Sequence, residues 1–266
     1  AYRAIPMIQN IYTNINIYKL YVPAYNQIEK VLIDSKNLDS YNTNDSVDFE
    51  LNHCIMFDNI SFGYSKDNLF IKDLSFKINA NIMTSIIGST GQGKTTLIDL
   101  FLGFFNPYSG NIYIDDMLVN ESNRNSLNKM IGYVPQTINL QAGSLSENIA
   151  LGIKKKSIDY NIINELIRIL DLESVVSSLN DGIYGDIGDR GIKLSGGQRQ
   201  RIGIARALYL NPKILILDES TNELDSKTEA NIFSLIKQKY PSITIIMITH
   251  RLSSLKLADD VILLKD

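Results

Sequence analysis

The segment from Gly88 to Thr95 constrains the fold of this chain more than any other feature. It reads GSTGQGKT, and it lies between an apolar run, MTSII, and a helical run, TTLIDLFLGF. Strand, glycine-rich loop and helix in this order form a P-loop, whose backbone N–H groups and helix N-terminus surround a phosphate. In such a loop Lys94 reaches the β- and γ-phosphate oxygens and the Thr95 hydroxyl ligates Mg²⁺. The predicted phosphate-binding residues are Gly88, Ser89, Thr90, Gly91, Gln92, Gly93, Lys94, Thr95 and Thr96.

A pair of acidic residues follows another apolar run. The sequence KILIL is followed directly by Asp218 and Glu219. Open α/β sheets bind ligands at the carboxyl ends of their strands, so this pair is placed to serve the same site. We predict that Asp218 holds Mg²⁺, directly or through water, and that Glu219 activates a water as general base. The simpler alternative is two acids in a turn, and Lys94 argues against it.

The chain from residue 53 onward alternates strand and helix patterns. Several of the predicted strands are continuous apolar runs, as in strands that are buried on both faces of an α/β sheet. The predicted strands are 54–57, 74–78, 83–87, 111–114, 131–134, 214–217, 243–248 and 261–264. Between residues 146 and 179 the apolar residues recur at helical spacing, which predicts a helical insertion into the α/β core.

Residues 1–33 predict one long helix. Apolar residues recur every three or four positions from Ile5 to Leu32, and Pro23 is expected to kink or split the helix. The pattern leaves two interpretations open, an amphipathic helix packed on its own core or the end of something larger. Polar residues within 4–18 argue against a bilayer span. Residues 34–52, rich in Asp, Asn and Ser, predict a linker.

Composition excludes several classes of partner. A net charge of −3 and a pI near 5.5 provide no general attraction for nucleic acid, and we expect none to bind. The one cysteine, Cys54, excludes an internal disulfide and fits a reducing compartment. The first residues lack the basic-then-apolar order of a signal peptide.

A third motif, LSGGQ at residues 194–198, precedes a helical run and the strand that ends near Asp218. Together with the two motifs above, it resembles the signature loop of the ABC ATPase family. In that family the loop and the helix N-terminus behind it touch the γ-phosphate of ATP held on a partner's P-loop. The resemblance therefore implies a head-to-tail dimer with a shared site. The residues that it assigns to this contact are Ser195, Gly196, Gly197 and Gln198.

Four more positions match the family pattern in sequence order. Tyr64 is similar to the aromatic residue that stacks on adenine. Gln136 resembles the loop glutamine that links the γ-phosphate and Mg²⁺ to the transport partner. Asp225 resembles the loop aspartate that communicates across the dimer. His250 resembles the switch histidine that contacts the γ-phosphate. The resemblance thus implies Glu219, His250 and Gln136 as catalytic residues, and Thr95, Gln136 and Asp218 as metal ligands.

The resemblance spans residues 53–266 and implies a fold. We expect an α/β P-loop NTPase with a RecA-like core, an antiparallel β portion and a helical subdomain at about 137–205, preceded by a helical stalk at 1–33. The implied cofactors are ATP and Mg²⁺. The family usually has a small residue and Ala or Gly where this chain has Asn222 and Glu223. This departure leaves the cross-dimer contacts of that loop open.

Two segments resemble those of ABC exporters in particular. They are GDRG at 188–191, where exporters touch their membrane domains, and LQAGSLSENIALG at 140–152. A helix followed by a linker and an ATPase domain is also the exporter order. The resemblance implies transmembrane domains and a second ATPase domain as partners, in a homodimer or a pair of half-transporters, on the cytoplasmic side of the inner membrane.

Two alternatives are weighed against export. A soluble, non-transport ABC ATPase would usually carry coiled-coil or zinc inserts or two cassettes in tandem, and this sequence shows neither. A regulatory module that senses ATP without turnover is disfavoured because Glu219 is present. The transported substrate is not readable from these residues.

Overall fold

The computed structural model describes residues 4–39, 49–66, 68–89, 91–188, 191–192 and 194–264, and it divides into two compact units, Ala1–Ser46 and Val47–Asp266. In the first unit a single helix, α1, spans Ala4–Asp39. Of the two outcomes expected at Pro23, a kink or a split, the split does not occur, because the helix continues through that residue. The helix also extends past the predicted end at residue 33, into the segment predicted as linker. The predicted linker residues 40–48 lie outside the described residues.

In α1 the large hydrophobic side chains from Ile5 to Ile33 are exposed, except that of Val22, which is partly buried. Asn, Gln and Thr residues interrupt them, and among the described parts of the chain no helix is both long and apolar enough to cross a membrane.

The second unit contains two sheets. An antiparallel sheet has the order β2-β1-β4-β5, and a parallel sheet has the order β6-β7-β8-β3-β9. In chain order the strands are β1 Cys54–Phe62, β2 Ile71–Asn79, β3 Met83–Ile87, β4 Ser109–Ile114, β5 Met117–Leu118, β6 Ile131–Val134, β7 Ile214–Asp218, β8 Thr244–Ile248 and β9 Asp260–Leu263. A parallel sheet with a separate antiparallel sheet agrees with the expected fold class.

Eight helices connect these strands in the described part of the second unit. They are α2 Lys94–Leu102, α3 Arg124–Met130, α4 Leu145–Ile149, α5 Tyr160–Ile169, α6 Glu173–Ser178, α7 Gly196–Tyr209, α8 Ser226–Lys239 and α9 Leu252–Leu255. Short 3₁₀ turns lie at Lys155–Ser157 and Gly182–Tyr184. Helices α4, α5 and α6 occupy the region that was predicted as a helical insertion, and residues 146–179, all described, contain no strand.

The central strands β7 and β8 of the parallel sheet are buried on both faces. In β7, Leu215 and Leu217 join the hydrophobic cluster that contains α5 and α7, whereas Ile214 and Ile216 join the cluster that contains α2 and the antiparallel sheet. Burial of each such side chain stabilises the fold by about 1.5–3 kcal/mol. This two-sided burial explains why the central strands read as continuous apolar runs.

Strand ends differ from the sequence prediction where the ladder is irregular. The strands β3 and β6 have the predicted bounds, but β1 extends to Phe62 instead of residue 57. Its pairing register shifts between Phe57 and Ile60, and Asn59 has a φ of 50° there. This irregularity interrupts the alternation of apolar and polar residues. The sequence pattern therefore does not predict the second half of β1. The two-residue strand β5 was too short to produce a pattern.

Candidate functional site

The loops after three parallel strands converge on one cleft. Strand β3 lies between β8 and β9, and β8 lies between β3 and β7, so the carboxyl ends of β3, β7 and β8 are adjacent. A cleft of about 660 Å³ opens there. This first cleft is lined by Tyr64, Phe70, Gly91, Gly93, Lys94, Thr95, Thr96, Gln136, Glu219 and His250.

The P-loop gives this cleft a free helix N-terminus. Gly91 and Gly93 have φ values of 89° and 81°, a left-handed backbone that glycine adopts without strain. Gly93 is the N-cap of α2, and no side chain caps that end of the helix. The Nζ of Lys94 donates hydrogen bonds to the carbonyls of Gly88 and Ser89, both at 2.9 Å. Uncapped N–H groups beside a buried ammonium form an anion site. Thr90 lies outside the described residues.

Asp218 does not line the first cleft itself, but its carboxylate contacts Thr95, which does, and lies between two hydroxyl groups. Thr95 Oγ1 donates to its Oδ1 at 3.4 Å, and Tyr133 OH lies 3.5 Å from its Oδ2. Burial raises the pKa of Asp218, and the nearby charges of Glu219 and Asp99 raise it further. Burial, with the charge of Asp218, likewise raises the pKa of Tyr133 to about 12. Sequence reasoning did not identify Tyr133, which is a strand residue without a motif.

The oxygen ligands at this position fit Mg²⁺ but do not enclose it. The Thr95 hydroxyl and the Asp218 carboxylate are hard oxygen donors within contact of each other. Nowhere in the described residues do three His, Cys, Asp or Glu side chains form a cluster that could hold a metal alone. Mg²⁺ commonly binds through one or two protein oxygens together with waters and substrate phosphates. The site therefore suits an ion that arrives with a nucleotide.

Glu219 joins the loops after three strands. Its Oε2 accepts a hydrogen bond from Gln136 Nε2 at 2.9 Å, and its Oε1 lies 2.8 Å from His250 Nε2. Glu219 itself has a φ of 49°, which costs on the order of 1 kcal/mol for a residue other than glycine. This backbone turn directs the chain away from β7 at the cleft. Gln136 and His250, which are far apart in the sequence, thus both contact the carboxylate of Glu219.

An aromatic group forms the far wall of the first cleft. Tyr64 is 70% exposed, and its ring lies 5.5 Å from that of Phe70 at an angle of 31°. Its hydroxyl hydrogen-bonds with Thr96 Oγ1 at 3.2 Å, which ties this wall to α2. Sequence reasoning did not identify Phe70, whose signal in the sequence is its place shortly before a predicted strand. The wall offers flat apolar area to a planar ring.

Of the other predicted residues, Ser195, Gly196, Gly197 and Asp225 line a second cleft of about 400 Å³, whereas Gly88, Ser89 and Gln92 line a separate pocket beside His250. The second cleft is lined by Asp171, Ser195, Gly196, Gly197, Arg201, Glu223, Leu224, Asp225 and Thr228. Ser195 caps α7, since its Oγ accepts from Gln198 N while Gln198 Oε1 accepts from Ser195 N. Asp225 caps α8 by accepting from Lys227 N and Thr228 N. The two clefts share no lining residue.

Glu223, where the sequence departs from the resembled family, faces the signature segment. Its carboxylate occupies the space that a Cβ on Gly196 would need. Its backbone N–H donates to Gln200 Oε1 at 3.0 Å, so the loop is also fastened to α7. An acidic side chain therefore lies beside the N-terminal end of α7 within the second cleft.

Comparison with known proteins is consistent with this geometry. A family model described as "ABC transporter" matches residues 71–222. A Rickettsia typhi protein, whose name describes an export ATP-binding/permease protein, is 41% identical over 89% of this chain and 40% of its own length. The heterocyst differentiation ATP-binding protein HepA of Nostoc is 36% identical over 99% of this chain and 43% of its length.

A solved structure has a similar fold. A bacterial Atm1-family ABC exporter with ATP bound superposes with a TM-score of 0.77 at 32% identity, covering 91% of this chain and 43% of that one. The chain thus spans about 40% of the length of these relatives.

Proposed function

This chain belongs to the ABC transporter family and carries its ATP-binding domain, and from that premise we propose that it hydrolyses ATP in a head-to-tail dimer that powers export. The observation that carries the proposal is the separation of the two clefts. The first cleft contains phosphate, metal and water-activating groups. The second contains the N-terminal end of α7, which the family resemblance assigns to ATP binding, and it shares no lining residue with the first.

In the first cleft each group has a role in the proposed reaction. Tyr64 stacks on the adenine, and Lys94 with the α2 N-terminus binds the β- and γ-phosphates. Thr95, Asp218 and Gln136 would hold Mg²⁺, which neutralises phosphate charge. Glu219 accepts the proton of the attacking water, and His250 contacts the γ-phosphate. The contacts among Gln136, Glu219 and His250 support this assignment, because they bring a base beside the P-loop.

The second cleft would act on a nucleotide held by another copy. Ser195 is exposed at the N-terminus of α7, a helix of 14 residues. Such a helix end attracts anions, and here it is not directed into the first cleft. When two copies close head to tail, Ser195, Gly196, Gly197 and Gln198 of one copy cap the γ-phosphate on the other. Asp225 lines the same cleft and would lie at the dimer contact.

Helix α1 supports transmembrane domains as the second partner. Its hydrophobic side chains are exposed over most of its length, more than a free helix would carry. The R. typhi relative is named for both an ATP-binding and a permease part. We therefore propose α1 as the stalk of a membrane domain, with the ATPase domain on the cytoplasmic side of the inner membrane. ATP then favours the closed dimer, and hydrolysis removes that preference.

The proposal is tested by mixing two inactive variants. Lys94→Ala inactivates the first cleft and Ser195→Arg the second, so neither variant alone should release phosphate from ATP. In a head-to-tail dimer the mixture restores one intact site per mixed pair, and phosphate release should return. Light scattering of Glu219→Gln should show a dimer that depends on Mg·ATP. An inactive mixture together with a monomer under all conditions would refute the shared site.

A further inference from the structure

A buried carboxylate outside both clefts carries a further inference. Glu229, in α8, has a side chain with 0% exposure. Ser254 Oγ donates to its Oε1 at 2.8 Å, whereas Oε2 has no hydrogen-bond partner in the described part of the chain. A buried carboxylate requires a hydrogen bond or an opposite charge. A cation lies beside this oxygen, since Arg251 Nη1 is 3.9 Å from Glu229 Oε2.

The same guanidinium holds the loop after β7. Arg251 Nη1 donates to the carbonyls of Thr221 and Leu224 at 2.8 and 2.7 Å. These carbonyls belong to the loop that begins at Glu219 and ends at Asp225, the cap of α8. Arg251 therefore holds two carbonyls within a loop that runs from Glu219, in the first cleft, to Asp225, in the second.

Arg251 directly follows His250 in the loop after β8. Its backbone N–H donates to the buried Thr249 Oγ1 at 3.1 Å, and His250 lies 2.8 Å from Glu219. Strands β7 and β8 are paired up to Asp218 and Ile248, so the two loops leave the sheet side by side. A displacement of His250 must then displace Arg251 and the carbonyls that it holds. Arg251 itself does not line the first cleft.

From this geometry we propose that Arg251 is a positioning residue that couples His250 to the loop 221–225, with Glu229 as its buried counter-ion. The proposal rests on the function proposed above, and it adds a connection between the two clefts within one chain. Arg251 holds the loop 221–225 in position when His250 contacts the γ-phosphate. The loop then places Asp225 at the contact with the partner copy. Its loss should lower turnover and leave nucleotide binding by the single chain unchanged.

A double variant separates this role from simple stabilisation. Arg251→Ala leaves Glu229 buried without its counter-ion, and removing one partner of a buried pair should lower Tm by roughly 10 °C. Adding Glu229→Gln removes the stranded charge, keeps an acceptor for Ser254, and should recover most of that Tm. We expect kcat for ATP to remain at least 10-fold reduced in the double variant, and the affinity of the single chain for a fluorescent ATP analogue to stay within about 2-fold. Amide hydrogen exchange in 221–225 should stay faster than in the unmodified chain.

Arg124 provides the matched control. Its Nη1 also donates to two backbone carbonyls, those of Leu100 and Phe101, but it lines neither cleft. Arg124→Ala should lower Tm and leave kcat unchanged. The positioning role is refuted when Arg251→Ala/Glu229→Gln recovers kcat together with Tm, or when Arg124→Ala lowers kcat equally. Absence of phosphate release from the unmodified chain would instead count against the proposed function, and the hydrogen exchange of 221–225 would still decide whether Arg251 holds the loop.

Discussion

His250 Nε2 lies 2.8 Å from Glu219 Oε1, which joins the loops after two neighbouring parallel strands. In the proposed reaction this contact orients the carboxylate toward the attacking water. The Gln136 amide holds the other carboxylate oxygen at 2.9 Å. Glu219 therefore has both oxygens fixed before a nucleotide binds.

Glu219→Gln should retain ATP binding and lose turnover. The substitution keeps the size of the side chain and one acceptor oxygen, but an amide does not accept the proton of water. Loss of a general base typically costs about 10²- to 10⁴-fold in rate. Phosphate release at saturating Mg·ATP measures the loss, and calorimetric titration measures the binding. Unchanged turnover would overturn the assignment of Glu219.

Lys94→Ala should weaken nucleotide binding itself. Lys94 is buried, and in the nucleotide-free protein its Nζ donates to two P-loop carbonyls. These contacts hold the ammonium group where phosphates would bind. A hydrogen bond to a charged group contributes about 1.5–3 kcal/mol, which corresponds to roughly 10- to 100-fold in Kd. Lys72→Ala, at an exposed position of β2, is the control and should bind normally. Equal affinities of the two variants in calorimetry would contradict a phosphate role for Lys94.

Asp218→Asn should stabilise the nucleotide-free protein while abolishing turnover. The raised pKa of Asp218 means that folding disfavours its charged form. The free energy of unfolding therefore falls as pH rises above 3.8, the ordinary pKa of this carboxyl. At pH 7 the neutral amide removes that cost and can still accept from Tyr133. Each kcal/mol gained raises Tm by about 2–4 °C in a protein of this size. A lower Tm for Asp218→Asn would show that the carboxylate is stabilising.

Glu147→Gln should destabilise the protein at neutral pH only. Hydrogen bonds from Ser144 lower the pKa of Glu147 from 4.5 to about 2, with a smaller contribution from Lys155. The folded state therefore gains stability from the ionised carboxylate above pH 4.5, and loses it as pH falls toward 2. A helix cap of this kind contributes about 0.5–2 kcal/mol. Urea unfolding should separate the variant from the unmodified protein at pH 7, and the difference should shrink below pH 4.5 and be mostly lost near pH 2.

Glu173→Gln is the control for this pH dependence, because Glu173 also lies in the first turn of a helix but has no capping box. Its stability relative to the unmodified protein should change little between the two pH values. A difference for Glu147→Gln that stays as large near pH 2 as at pH 7 would show that the carboxylate charge is not the cause.

Local patterns predicted much of the site. The P-loop is one contiguous segment, and the uncapped end of α2 follows from its glycines. Asp218 and Glu219 could be placed because buried strands read as apolar runs, and a ligand site at their carboxyl ends is a general property of parallel sheets. The roles of Tyr64, Gln136, Asp225 and His250 came from the resemblance alone, since none of them has a local signal strong enough to stand by itself.

The sequence by itself determined the family, the order of the motifs and the strands that end at the site, because these features depend on residues that are neighbours along the chain. Only the tertiary structure brought Gln136 and His250 to the two oxygens of Glu219, added Phe70 and Tyr133 to the site, and paired Arg251 with Glu229. Such contacts depend on how the parallel strands are ordered in the sheet. Strand order is decided by long-range packing, which periodicity along the chain does not record.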